Sequence, residues 1–279
     1  MSPALKTLDA TYRARAIPLG SVRYWSWLFA DSASRAPLLG VYALLAEWNA
    51  LMDPGTEASA SRIKLAWWQE EIQRLIDRRP IHPICRYLAA LPRAGEADFT
   101  PLSHAVDASL AELSGVPLER SADLEPHSWA LRAAPLGLAS RLASDGRPDE
   151  AALENCLRAL AKADYLARVT RDCRRQARHG RVPFAVEELL AAGLDNSDLC
   201  ADQAPAKLEN YLQQLRVRAS RSYETAALAL PETCRARQRH LLVLAALGLK
   251  HLQRRTSNLE SVRVQDMLLA WSTARRAHG

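Results

Sequence analysis

The chain has 279 residues, 48% apolar and 24% charged, with only 11 glycines; these proportions exclude wholesale disorder and favour a folded domain rich in helix formers. The net charge of +6 suits phosphate-bearing ligands or an anionic membrane surface. No nucleic-acid-binding motif accompanies it, so no nucleic-acid partner is expected.

In chain order, residues 1–16 lack the apolar core of a secretory signal. Residues 22–30 form a short aromatic segment with Tyr24, Trp25, Trp27 and Phe29. Asp31 or Ser32 caps a helix that runs to about Met52 and stops at Asp53-Pro54-Gly55. The next helix starts at Ser59 or Ser61, carries Trp67 and Trp68, and ends near Asp77. His82-Pro83 opens another, through Leu91. After a loop over 92–101, helices are expected over 102–114, 124–144 (bent at Pro135) and 149–178. Three more follow over 205–229, 233–255 and 262–276. The longest apolar run, Leu241 to Leu249, is far short of the roughly 20 residues that span a bilayer.

No strand-period segment, glycine-rich phosphate loop or internal repeat interrupts this pattern. The expectation is one all-α domain over 1–279, with its core at about 20–276. Five cysteines without a CxxC pair fit a reduced, cytoplasmic protein. The histidines show no zinc-ligand spacing.

Three segments carry most of the chemical character: RYWSWLFADSASRAPLLGVYALLAEWNALMD (23–53), SRIKLAWWQEEIQRLIDRRPIHPICRYL (61–88) and ALAKADYLARVTRDCRRQARHGRVPFAVEELLAAGL (159–194). In order and spacing they resemble the squalene/phytoene synthase family: an Arg before Tyr-Ala and a DxxxD motif, then a Trp-Trp and His-Pro segment, then a second Arg-Asp helix. That resemblance implies an isoprenoid-synthase-type helical bundle around a central cavity. In active members, facing Asp pairs hold Mg²⁺ against a prenyl diphosphate. The corresponding substrate-binding positions here are Arg35, Tyr42, Asn49, Asp53, Arg168, Arg171, Asp172 and Gln176.

The departures fall on the metal positions. Asn49 and Gln176 are neutral where the family has acids, which leaves Asp53 and Asp172 as the two metal candidates. Asp53 precedes Pro54 at a helix end. Arg168 stands where active members place Asn, and helical spacing suggests an Asp164–Arg168–Asp172 ladder on one face. Glu47, Glu70 and Glu71 are the acids nearest these motifs, and ordinary surface or core-edge roles are expected of them. Trp67 and Trp68 are expected to pack rather than to line a substrate wall.

Loss of two carboxylates weakens a site whose affinity depends on ligand charge and number. The resemblance therefore implies a synthase-like protein without normal head-to-head prenyl transfer, acting in lipid or prenyl binding or in assembly. Residues 62–68 and Glu47 also resemble a non-catalytic branch of the family, the complex I assembly factors, which implies a partner protein and peripheral contact with an inner membrane. The competing expectation is an active Mg²⁺-dependent prenyltransferase that condenses two prenyl diphosphates.

Overall fold

The computed structural model describes residues 8–143, 149–253 and 264–277. Among them the regular structure is all helix, apart from one isolated parallel bridge between Leu118 and Ala185. The expected helix ends at 144 and 255, the start at 262, and the extreme termini lie outside the described residues.

Local chemistry sets several helix starts. Asp9 accepts from Thr11 N and opens α1 (Ala10–Ala16), a helix the sequence pattern did not predict. Ser21 caps α2 (Val22–Leu28), and Asp31 caps α3 (Ser32–Leu51). Next come α4 (Ala58–Ile76), then α5 (Pro83–Ala89), capped by His82 Nδ1 on Ile84 N at 3.2 Å. α6 (Thr100–Ser114) ends on Gly115, whose φ of 73° needs a residue without Cβ.

The 124–144 stretch departs from expectation. It comprises α7 (Leu124–Ser128), a π-helical turn over Trp129–Ala133, and α8 (Ala134–Ala143). Pro135 lies two residues beyond the end of that turn. It has no N–H for the Leu131 carbonyl, and the ladder widens there so that Ala134 N bonds Trp129 O, five residues back. The turn carries Arg132.

α9 (Glu150–Ala177) is the longest helix, about 42 Å at 1.5 Å per residue. Two short helices, α10 (Val186–Ala191) and α11 (Asn196–Cys200), went unforeseen. α12 (Ala206–Ala229) packs along α9. The single helix expected from 233 is broken into α13 (Glu232–Arg235) and α14 (Arg239–Gln253). Arg235 bonds back to Leu230 O at 2.9 Å, and Arg239 is drawn across the fold to Phe29 O at 2.7 Å, anchors that local periodicity does not reveal. α15 (Val264–Arg276) packs on α14 and α2.

The main core joins α3, α4, α5, α6 and α8 through residues such as Leu44, Leu65, Ile72, Leu88 and Leu102, all fully buried. A second cluster, including Leu166, Val169, Leu212 and Leu215, seals α9 against α12. Each such side chain contributes about 1.5–3 kcal/mol by leaving water. These two clusters flank a cavity and hold its walls in register.

Candidate functional site: an arginine-lined cavity

A cavity of about 660 Å³ opens between α2, α3, the π turn, α8, α9, α12 and α14. Leu45, Leu136, Leu160, Leu244 and Leu252 supply apolar wall, with the rings of Tyr42 and Tyr223. At Gly248 an added Cβ would sit 2.5 Å from the Tyr223 ring, so α14 approaches α12 there because glycine leaves room. A second recess of about 520 Å³ lies between 54–58 and 179–181, and none of the predicted site residues lines it.

The polar part of the cavity is dominated by guanidinium groups. Arg23, Arg132, Arg168, Arg171 and Arg216 line it, against one carboxylate, Asp164. Arg132 Nε lies 3.1 Å from Asp164 Oδ2. Burial lowers the pKa of Arg132, and neighbouring Arg168 and Arg171 add to that, while Asp164 opposes them. Arg23 follows the same pattern, with burial first and Arg132 next. Guanidinium remains charged through such shifts, so the cavity is electropositive.

Arg168 is balanced from behind. Its two terminal nitrogens contact Glu112 at 2.5 and 3.1 Å, and Glu112 also meets His127 Nε2 at 3.1 Å. Burial alone would raise the Glu112 pKa; Arg168 and His127 outweigh it and bring it down to about 2. The anticipated Asp164–Arg168–Asp172 ladder does not form. A partly buried carboxylate on α6 draws Arg168 sideways, Arg132 takes Asp164, and Arg171 takes Asp172.

The proposed metal positions are occupied by the same chemistry. Arg171 grips Asp172 through two contacts, at 3.1 and 2.8 Å, and Arg175 Nη2 lies 3.9 Å from Oδ1, the oxygen that accepts from Arg171 Nε. Arg175 also contacts Asp53 Oδ2 at 3.3 Å, while Asp53 Oδ1 accepts from Gly55 N at 2.9 Å. Asn49 lines the cavity, but Gln176 does not; it borders a small recess with Glu112, Tyr165 and Arg181. Among the described residues no group of three or more His, Cys, Asp or Glu converges as a metal site. This donor set does not fit Mg²⁺, which favours carboxylate and water oxygens in near-octahedral array.

The other predicted residues divide in two. Tyr42 both packs and lines the cavity; its hydroxyl meets Ser26 Oγ at 2.9 Å, and burial pushes its pKa up to about 12. Arg35 is exposed, outside the cavity, and donates to Leu28 O at 2.9 Å, closing the carbonyl end of α2. Trp68 packs in the core edge-on to Trp48, and Trp67 is partly exposed; neither lines the cavity. Glu47 pairs with Arg15, Glu70 pairs with Arg74, and buried Glu71 accepts from Ile81 N and His82 N. Sequence reading missed Arg23, Arg132, Arg216, Glu112 and Gly248. The one available signal was a charged residue set among aromatic or apolar neighbours, as at 23 and 132.

A family model described as squalene/phytoene synthase matches residues 20–273. Phytoene synthase 1 of Arabidopsis thaliana, a chloroplastic protein, is 23% identical over 213 residues, 75% of this chain. The chain spans about half the length of that curated relative: 50%. A dehydrosqualene synthase crystal structure superposes with a TM-score of 0.78 at 16% identity, covering 96% of this chain and 95% of the other. A squalene synthase from Alicyclobacillus acidocaldarius gives 0.64 at 17% identity, covering 90% and 96%. The fold is the all-α isoprenoid-synthase type.

Proposed function

Because the chain belongs to the squalene/phytoene synthase family while arginines hold both remaining carboxylates at its metal positions, we propose that it keeps the cavity as a binding site and does not perform head-to-head prenyl transfer. The observation that carries this reading is the pairing of Asp53 and Asp172 at the rim, beside the lining residues Asn49 and Arg171 but not themselves lining the cavity. Asp172 is engaged by Arg171 and Arg175, and Asp53 by Arg175 and the Gly55 amide. A divalent ion would have to displace these cations, and neutral Asn49 and Gln176 bring no further charge to hold it. The bound molecule is a prenyl chain or a lipid, for which Leu45, Leu136, Leu160 and Leu244 provide an apolar bed.

The test is direct. The purified protein is incubated with farnesyl or geranylgeranyl diphosphate, Mg²⁺ and NADPH. The expected result is no squalene, dehydrosqualene or phytoene. Product at turnover rates above background would establish the prenyltransferase instead.

Peripheral contact with an anionic bilayer belongs to the same reading. Val264, Met267, Leu268 and Trp271 are exposed at helical spacing on α15. Arg275 stacks on Trp271, 5.3 Å from the ring centroid, so the apolar stripe ends in positive charge that complements acidic lipid. α15 packs on α14, whose last turn lines the cavity through His251 and Leu252. Trp271→Glu should cut co-sedimentation with phosphatidylglycerol vesicles severalfold; unchanged binding would remove the membrane from the proposal. No helix among the described residues is long and apolar enough to cross a membrane.

A further inference from the structure

The recess of about 520 Å³ between the α3–α4 turn and the loops that end α6 and α9 is a space of its own. No residue lines both it and the central cavity. Two glycine turns meet at it. Gly115 and Gly180 each have a φ of 73°, and a Cβ on Gly115 would stand 3.4 Å from Gly180 O.

Arg181 is the member that ordinary packing does not explain. It is only 9% exposed, and its one side-chain hydrogen bond runs from Nη1 to Met52 O at 2.7 Å. No carboxylate pairs with it among the described residues. Burial lowers its pKa; Glu112 and Asp53 oppose that, and Arg62 adds to it. Those two carboxylates are themselves held by Arg168 and Arg175. A guanidinium carries five N–H donors, so this buried cation keeps donors without a protein acceptor beside the recess it lines.

The surroundings share its sign. Arg62, exposed on α4, lines the recess and makes no hydrogen bond or ion pair among the described residues. His179 adds an imidazole. α4 starts here: Ala58 lines the recess, no acid occupies the first turn, and the cap residue Glu57 makes no side-chain capping bond. The first-turn amides of this 19-residue helix therefore lack a capping acceptor at its positive end. One charge opposes. Glu57 lines the recess too, with its carboxylate on the Ser59 hydroxyl. Two arginines that repel each other beside uncapped amides make a place that an anion completes, because it removes the repulsion and takes the spare donors together. A tetrahedral dianion has acceptors enough for both guanidinium groups and the amides.

We infer that this recess is a second, metal-free site, for the phosphate group of a small water-soluble molecule, held by Arg62, Arg181 and the first turn of α4, with Glu57 limiting its affinity. It stands apart from the cavity assigned to a prenyl chain or lipid and does not rest on that reading. Because Arg181 also holds Met52 O, a bound phosphate would tie the α3–α4 turn to the loop after α9. Free phosphate and a phosphate monoester share this chemistry, and the experiment separates them.

The full chain is titrated calorimetrically in EDTA with inorganic phosphate, adenosine monophosphate and acetate. Binding of at least one phosphate ligand is expected, with acetate weaker by about tenfold or more, since a planar monoanion offers fewer charged acceptors; the tighter phosphate ligand identifies the source. Arg62→Gln and Arg181→Gln should each weaken binding about tenfold, the worth of a charge-assisted hydrogen bond. Glu57→Gln should tighten it. Arg216→Gln, which alters only the central cavity, should leave it unchanged. Arg62 is exposed, so its variant keeps the test usable if Arg181→Gln fails to fold; melting curves check each variant. No binding of either phosphate ligand, equal affinity for acetate, unchanged affinity in folded Arg62→Gln, weaker binding in Glu57→Gln, or a loss in Arg216→Gln would overturn the site. None of these outcomes bears on whether the central cavity takes a prenyl chain.

Discussion

The rim and the interior of the cavity use the same residue type in opposite ways. At the rim, Asp53 and Asp172 are matched by Arg171 and Arg175. In the interior, Arg23 and half-exposed Arg216 line the cavity without an ion pair, while Asp164, Glu112 and Asp172 answer Arg132, Arg168 and Arg171. A metal-assisted site needs anionic oxygens where the rim has neutralised ones. It also needs a leaving group delivered to metal, where the interior offers guanidinium donors instead. The comparison teaches that one residue type can neutralise carboxylates in one part of a site and leave positive charge in another.

The largest effect should come from Arg168, the interior arginine held by a buried carboxylate on α6. Glu112→Ala leaves Arg168 without its partner, in a setting where both side chains are about 85% buried. Removing one member of a buried pair typically costs about 3–5 kcal/mol, and urea unfolding at neutral pH should show a loss of that order. A loss below about 1 kcal/mol would mean that the cavity arginines need no counter-charge, which would dissolve the contrast with the rim.

Acid should act in two windows. Fully buried His240 is kept neutral down to about pH 3, first by burial and then by Arg239, whereas in the unfolded chain it takes a proton near 6.5. The unfolded state therefore binds more protons across that window, and stability falls as pH drops from 6.5 towards 3. Glu112 adds a second loss as pH falls from about 4.5 towards 2, because its folded carboxyl stays charged and its unfolded one does not. His240→Leu should flatten the first limb and leave the second, as read from urea midpoints across pH. An unaltered first limb would assign it to another group.

Gly248→Ala should cost about 1–3 kcal/mol, because the new Cβ would meet the Tyr223 ring at 2.5 Å. A thermal melt measures it, and an unchanged melting temperature would show that the α12–α14 wall yields freely.

The legible part of the molecule was the part written in local pattern. Helical periodicity, with Asp31 or Ser32 as a cap, places α3, α6 and α9 close to their expected bounds. The three motif segments identified the family. The interior was hidden because its charges come from distant stretches: Arg23 from α2, Arg132 from a π turn, Arg216 from α12, Glu112 from α6. No spacing rule joins these residues, and the π turn depends on where Pro135 falls against the carbonyl ladder. Arg35 misled for the opposite reason. Its sequence neighbourhood fits a diphosphate ligand, but the end of α2 lies nearer and its carbonyls take the guanidinium.

The smallest effect should be at the rim itself. Arg175 and Asp53 are each about half exposed, with side-chain exposures of 54% and 48%, and meet at 3.3 Å. Water screens such a pair, and holding two side chains in one geometry offsets much of the attraction, so exposed pairs contribute about 0.2–1 kcal/mol. Asp53→Asn should therefore shift the urea midpoint slightly, and by less still in high salt. It also retains the oxygen that accepts from Gly55 N, so the turn at Asp53-Pro54-Gly55 should persist. A loss above about 2 kcal/mol would show that Asp53 is bound into the fold by more than a screened ion pair. The rim would then be a structural clamp, and the retained carboxylate would owe nothing to the metal chemistry of the family.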